Sequence, residues 1–151
     1  MRARDLAIDY PTVALTTSAF EAARLLAGAN LPGLIVVDDR GRPHSVLPGT
    51  QVLKMAIPQY CQEDPALARV IDEAHADTFL RDLADRTVAE CLPEKRPELP
   101  VVDADATVLE VAAVMAAMRS PLVAVITGPR TDGNILGAIT LDVLLDRMLA
   151  E

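Results

Sequence analysis

Apolar residues recur at helical spacing through Phe20, Ala23, Leu26 and Ala27, and the spacing returns at Val108, Val111, Ala112, Met115 and Met118. Each stripe runs into a proline, Pro32 or Pro121, and then into an unbroken apolar run over 34–37 or 122–126. Such runs read as strands buried on both faces. A glycine-bearing turn follows each: a tight one over 38–41, ending at Gly41, and a longer one over 127–133. Return strands are predicted over 44–47 and 135–140, and short helices after them, one capped by Thr50 and running through Met55, the other over 141–149. Short lead-in strands are predicted over 12–15 and 99–102. Ser18 with Glu21 three residues on forms a capping-box pattern, and Asp105 or Thr107 offers a cap for the second long helix.

These two patterns are copies of one unit. At a constant offset of 89 residues Glu21 meets Glu110, Ala23 meets Ala112, Ala27 meets Ala116, Pro32 meets Pro121 and Val36 meets Val125; past the longer turn the offset becomes 92. Residues 56–98 have no counterpart. Pro58 breaks the chain there, Pro65 suits a first helical turn, and a helix of about twenty residues is predicted over 64–84. Its inward stripe would be Leu67, Val70, Ile71, Ala74, Thr78, Phe79 and Leu83. Residues 87–92 resemble the lead-in over 1–6. The organisation expected is a first repeat over 1–55, a helical insert over 56–86 and a second repeat over 87–151. The fold class is α/β, of the α+β kind, with two pseudo-symmetric βαββα-like halves and a natural ligand cleft at their seam.

Composition narrows the function. Of 151 residues 51% are apolar but only 3% aromatic, with no Trp, so the core is aliphatic and stacking platforms for bases or sugars are disfavoured. The net charge of −8 argues against nucleic acid, which needs a basic face. Lys and Arg against Asp and Glu stand at 6 to 5 over 1–54, 5 to 10 over 55–99 and 3 to 7 over 100–151, so the acidity starts in the insert. Cys61 and Cys91 share no ligand spacing and fit free thiols in a reducing compartment. No apolar run reaches membrane-spanning length and no secretory leader pattern opens the sequence, so a cytoplasmic location is expected and no membrane partner.

The layout, with Gly137, Ala138, Ile139 and Thr140 opening the last helix, resembles a tandem CBS domain, or Bateman module. The resemblance covers nearly the whole chain apart from the insert over 56–86. It implies two CBS repeats packed sheet to sheet, pairing into a homodimer, and a cleft between the repeats for an adenosine-containing ligand: AMP, ADP, ATP or S-adenosylmethionine. In such modules a hydroxyl and a carboxylate at the start of the last helix hold phosphate and ribose, with the helix N-terminus favouring the anion. Carried onto this chain, Thr140 is the hydroxyl candidate. The ribose carboxylate belongs three residues later, where Val143 stands; Asp142 is one residue early, a rotation of about 100° on a helix, and serves either as a cap or as the ribose contact. The first repeat departs further. Ser45 to Pro48 stand in place of the Gly-apolar-apolar-Thr pattern and Gln51 in place of the carboxylate. Pro48 has no N–H for a phosphate, and Thr50 is either a substitute hydroxyl or a helix cap.

Basic residues that could meet a phosphate are Arg40, Arg42 and His44 around the first hairpin, and Arg119 and Arg130 around the second strand pair. Of these Arg42 and His44 join Thr140, Asp142 and Thr50 as candidate ligand-binding residues, with solvated turns as the plain alternative. Asp72, His75 and Asp77 read as the wet face of the inserted helix rather than a metal site, and no cofactor is expected. No nucleophile elbow, phosphate loop or acid–base pair is visible, so no enzymatic activity is expected. Two functions stay open. One is a regulatory module that senses an adenosine nucleotide and is read by a protein partner, with the acidic insert as the candidate surface; the other is a ligand-free dimerisation module with degenerate sites.

Overall fold

The computed structural model describes residues 1–29, 31–71, 78, 81–93, 95, 98–128 and 134–150. Within them the chain forms α1 (Ala3–Leu6), β1 (Thr12–Ala14), α2 (Ala19–Ala29), β2 (Gly33–Val37), β3 (Pro43–Pro48), α3 (Gly49–Ala56) and α4 (Gln59–Glu63). After 3-10 turns at Pro65–Val70 and Leu83–Asp85 come α5 (Val88–Cys91), β4 (Val101–Asp103), α6 (Val108–Met118), β5 (Leu122–Thr127), β6 (Asn134–Thr140) and α7 (Leu141–Leu149). The strands make two three-stranded sheets, ordered β1-β2-β3 and β4-β5-β6. This is the mixed α/β fold with a repeated unit that the two hydrophobic patterns predict.

In the second sheet β4 runs parallel to β5, with Val102 opposite Val125, and β6 returns antiparallel, with Leu122 opposite Thr140. The register shifts between Val125 and Ile126, which face Gly137 and Ile135, so Leu136 is an extra bulged residue. Residues 122–126 of β5 are buried, as expected of a central strand covered on both faces. α6 starts where Thr107 accepts a hydrogen bond from the Glu110 N–H at 3.1 Å, one of the two caps foreseen. It buries Val111 and Met115, with Val108 and Ala112 partly covered, while Met118 stays exposed. The helix ends on Arg119, held in the left-handed region at φ 51°. A side chain there is strained, so Arg119→Gly should raise stability by about 0.5–1 kcal/mol, read as a small upward shift in thermal midpoint.

The chain divides into two compact units that interleave the repeats: Met1–Thr12, Ile35–Val46 and Glu98–Glu151 in one, Val13–Leu34 and Leu47–Pro97 in the other. In the first unit, α1 from the start of the chain joins the core of the second repeat, where Ala3 and Leu6 pack with Val102, Val111, Ile139 and Leu144. In the second unit the reciprocal exchange occurs. The Val88 N–H bonds the Thr17 carbonyl at 2.8 Å, the Ala89 N–H bonds that of Leu15 at 3.0 Å, and the Ala19 N–H bonds that of Arg86 at 2.8 Å. Each lead-in thus completes a core built from the other repeat. Isolated four-residue helices such as α1 and α5 could not persist alone.

Local differences from the sequence reading have physical causes. Ser18 caps α2 through the Glu21 N–H at 3.1 Å, as expected, but α2 buries Ala19 and Ala22 and leaves Phe20 and Ala27 exposed. Small side chains win that face because α2 lies close to α3, α5 and the turn at Leu83–Asp85. Thr50 does not cap α3: Pro48 is the capping residue and Thr50 is exposed within the first turn. Residues 65–70 form a 3-10 turn instead of opening a long α-helix; Asp64 accepts from the Ala66 N–H at 3.2 Å and caps its start. Most of the remainder of that helix, including Ala74 and Phe79, lies outside the described residues, as do Asp72, His75, Asp77 and Arg130. Cys61 and Cys91 are free and buried, and burial pushes the Cys91 thiol up.

Candidate functional site

In the first unit, the junction of β6 and α7 brings together two of the candidate residues. β6 delivers Thr140 to the capping position of α7 in extended backbone, φ −94° and ψ 160°, and the Leu141 N–H bonds the Pro121 carbonyl at 2.9 Å. The helix start is therefore anchored to the start of β5. Thr140 is 8% exposed, one of two buried polar residues among those described. Its hydroxyl donates to the carboxylate of Asp142, and that hydrogen bond holds the Asp142 carboxyl below the ordinary 3.8. Asp142 is exposed, so the pair presents a buried hydroxyl and an open carboxylate on the first turn of α7. Thr140 makes no side-chain capping bond, so its hydroxyl is free to turn toward an acceptor other than Asp142.

Gly137, three residues earlier on β6, is required by packing. A Cβ there would sit 2.5 Å from the Ile8 carbonyl oxygen and 3.3 Å from the Ala7 Cβ. The close approach exists because Ile8 bridges Ala138, with hydrogen bonds of 2.9 and 3.0 Å in both directions. Beyond Ile8 the chain continues into one wall of a cavity of about 610 Å³, formed by residues 9–12 with Val37, Gly41 and residues 134–137. All of its lining belongs to the first unit, yet it is drawn from both repeats. Sequence reasoning did not nominate residues 9–12. The available signal was Gly137 itself, which marks a place where another backbone comes close.

Two other candidates are held by the hairpin. Asp38 accepts from the N–H groups of Arg40 and Arg42 at 2.9 Å each, and from Nε of Arg42 at 3.2 Å. The Arg42 backbone N–H and then that of Arg40, with the Arg42 guanidinium, outweigh burial and hold the Asp38 carboxyl below the ordinary 3.8. Arg42 is thus engaged in closing the turn, in which Gly41 takes φ 79°. His44, half-buried on β3, places Nδ1 3.1 Å from Oγ of the fully buried Ser45.

In the second unit, Gln51 occupies the position where the first repeat would need a carboxylate, and its Nε2 donates to the Cys91 carbonyl at 2.8 Å. That bond ties α3 to the end of α5. Together with the Pro48 cap it gives the start of α3 a structural role, with Thr50 beside it on the surface. Among the described residues no cluster of His, Cys, Asp and Glu could hold a metal ion, and no helix is long and apolar enough to cross a membrane.

A groove of about 380 Å³ lies on the far side of α7, between it and α6, lined by Met115, Arg119, Leu144, Leu145 and Met148 among others. Leu141, Leu145 and Met148, which line it, and Leu149 near the end of α7 are exposed.

The architecture and the sequence both have relatives. No functionally curated protein matches the chain. A CBS domain-containing protein of unknown function from Kribbella flavida is 51% identical over 99% of each chain, with a TM-score of 0.88. CBSX2 in complex with AMP shares the fold at 16% identity, over 98% of this chain and 96% of that one, with a TM-score of 0.67. The cytosolic domain of the Mg2+ channel MgtE in complex with ATP does so at 23% identity, over 97% of this chain and 48% of that one, with a TM-score of 0.64. The CBS domain pattern matches residues 3–55 and again 88–150, and the chain belongs to the CBS-domain family as a tandem pair.

Proposed function

We propose that the chain is a regulatory module that binds an adenosine nucleotide in its first unit, at the start of α7. The observation that carries this reading is the Thr140 and Asp142 pair on the first turn of a helix, three residues along β6 from the wall of a 610 Å³ cavity. In this reading the Thr140 hydroxyl turns from Asp142 to a phosphate oxygen, the open carboxylate takes the ribose hydroxyls, and the helix N-terminus adds partial positive charge. The structures of CBSX2 with AMP and of MgtE with ATP support the ligand class. Charge selects within it. The chain carries −8, and Arg42, a basic candidate on the hairpin, is committed to Asp38. A monophosphate is therefore favoured over a triphosphate. The module works without catalysis, in the cytoplasm, and passes its state to a protein partner.

A thermal-shift panel with AMP, ADP, ATP and S-adenosylmethionine at about 1 mM tests this. A dissociation constant of about 10 μM gives roughly 2.7 kcal/mol of stabilisation, several degrees at this size. AMP should give the largest shift; a flat panel would overturn the reading. It would favour the second reading, a structural dimerisation module, which Pro48 and the Gln51 bond to the Cys91 carbonyl already support for the first repeat.

Under either reading the chain is a homodimer. The exposed apolar residues of α7 line this groove, so a twofold axis lets α7 of each copy pack against that of the other. Light scattering should give twice the 16.2 kDa chain mass.

A further inference from the structure

The segment Met1–Thr12 makes its described contacts inside the first unit, on elements far from it in sequence. Ala3 and Leu6 are 0% and 7% exposed, and the N–H groups of Ala3 and Arg4 bond the carbonyls of Ala106 and Ala104 at 2.8 and 3.0 Å. Arg4 pairs with Asp105, and Ile8 and Ala138 exchange two backbone hydrogen bonds. The segment buries only Ala3, Leu6 and Tyr10 among its side chains, and its one helix is four residues long. A helix that short has no stability of its own, so the segment holds its shape only while docked. By contrast β5 is buried between two partner strands. The segment thus opens at a lower free energy than β5 does.

Docking also builds the cavity. Residues 9–12 follow Ile8 directly and line it together with residues 134–137. If Ile8 leaves Ala138, that wall goes with it. We propose that Met1–Pro11 is a strap that detaches from β6 as one piece while β1 and the β4-β5-β6 sheet stay formed, and that its detachment opens the cavity. A molecule filling the cavity touches both strap and β6, so it binds the docked form and holds the strap down; release of the strap lowers its affinity by the same factor. The opening stands apart from the nucleotide reading, whereas control of the strap by AMP rests on it.

Hydrogen exchange on the full chain separates the two. Without ligand, the amides of Ala3, Arg4 and Ile8 should open together and exchange at least about tenfold faster than those of Ala104 and Ala124, which bond the carbonyls of Ile126 and Pro100. Gly137→Ala drives a methyl into the Ile8 carbonyl and should speed the strap amides by about a further tenfold, with Ala104 and Ala124 unchanged. Should that variant fail to fold, Leu6→Ala, which touches no bond of the β6 ladder, should do the same. Uniform exchange of strap and sheet amides in the wild type, or uniform acceleration in the variants, would overturn the strap. Saturating AMP should slow the strap amides selectively. AMP that raises the thermal midpoint but leaves Ile8 exchange unchanged overturns the coupling alone. AMP that does neither overturns the nucleotide reading, and the strap is then decided by Gly137→Ala and Leu6→Ala.

Discussion

Thr140→Val is expected to cut the AMP-dependent thermal shift by about half or more while leaving the ligand-free midpoint close to that of the wild type. Valine keeps the β-branched shape that suits the last residue of β6, and Thr140 contributes no capping bond that the helix would lose. What disappears is the hydroxyl. A hydrogen bond to a charged phosphate contributes about 1.5–3 kcal/mol, so affinity should fall by roughly ten- to a hundredfold. Titration calorimetry would read this directly, and undiminished affinity would remove Thr140 from the site. The variant carries a second signature at Asp142. Its carboxyl is held below 3.8 chiefly by the Thr140 hydroxyl, and that interaction is present above the unfolded value and lost as pH falls through the folded one. In Thr140→Val the Asp142 pKa should rise toward the ordinary value, seen as an upward shift of its carboxyl resonance midpoint in an NMR titration. An unmoved midpoint would show that the two side chains do not share the proton in solution.

Leu145→Glu is expected to convert the proposed homodimer to a monomer at micromolar concentration. Leu145 lines the groove between α6 and α7 and is 45% exposed in the single chain, with Met148 at 50% beside it. Burying these residues against a second copy removes apolar surface from water at about 25 cal/mol per Å². In a twofold contact a single substitution places two carboxylates in one apolar interface, and an unpaired buried charge costs several kcal/mol. The free chain should be little affected, since the position is open to solvent. Light scattering would show the mass halve with an unchanged circular dichroism spectrum. A dimer that survives Leu145→Glu would move the interface elsewhere.

Much of the fold was legible because it is written in short-range pattern. The continuous apolar runs over 34–37 and 122–126 became β2 and β5, and Ser18 and Thr107 cap the long helices as their spacing predicts. Repetition reinforced each assignment, since an ambiguous segment in one half could be read against its partner. The failures are equally local in origin. Thr50 looked like a cap because hydroxyl residues favour that position, but Pro48 already has the extended backbone the cap needs. The face of α2 was misjudged because periodicity marks a stripe without saying whether large or small residues face a close neighbour; Ala19 and Ala22 do.

The candidate site was half legible. Thr140 and Asp142 followed from the residues opening the last helix, and two positions apart in one chain they had to be neighbours. Arg42 and His44 were named for their charge, and only the fold shows that Asp38 and Ser45 engage them. The cavity walled by residues 9–12 and 134–137 left no mark on local pattern beyond a single glycine.

By itself, then, the sequence determined the repeated unit, the two buried central strands, the family and the helix start that carries Thr140, because hydrophobic period and capping chemistry act over a few residues. The tertiary structure alone decided which lead-in completes which core. It set Ile8 against Ala138 and Gly137, and it built a cavity from segments more than a hundred residues apart. The reason is that α1 and α5 are too short to be stable where they are made, so their place is chosen by whichever distant core they fill.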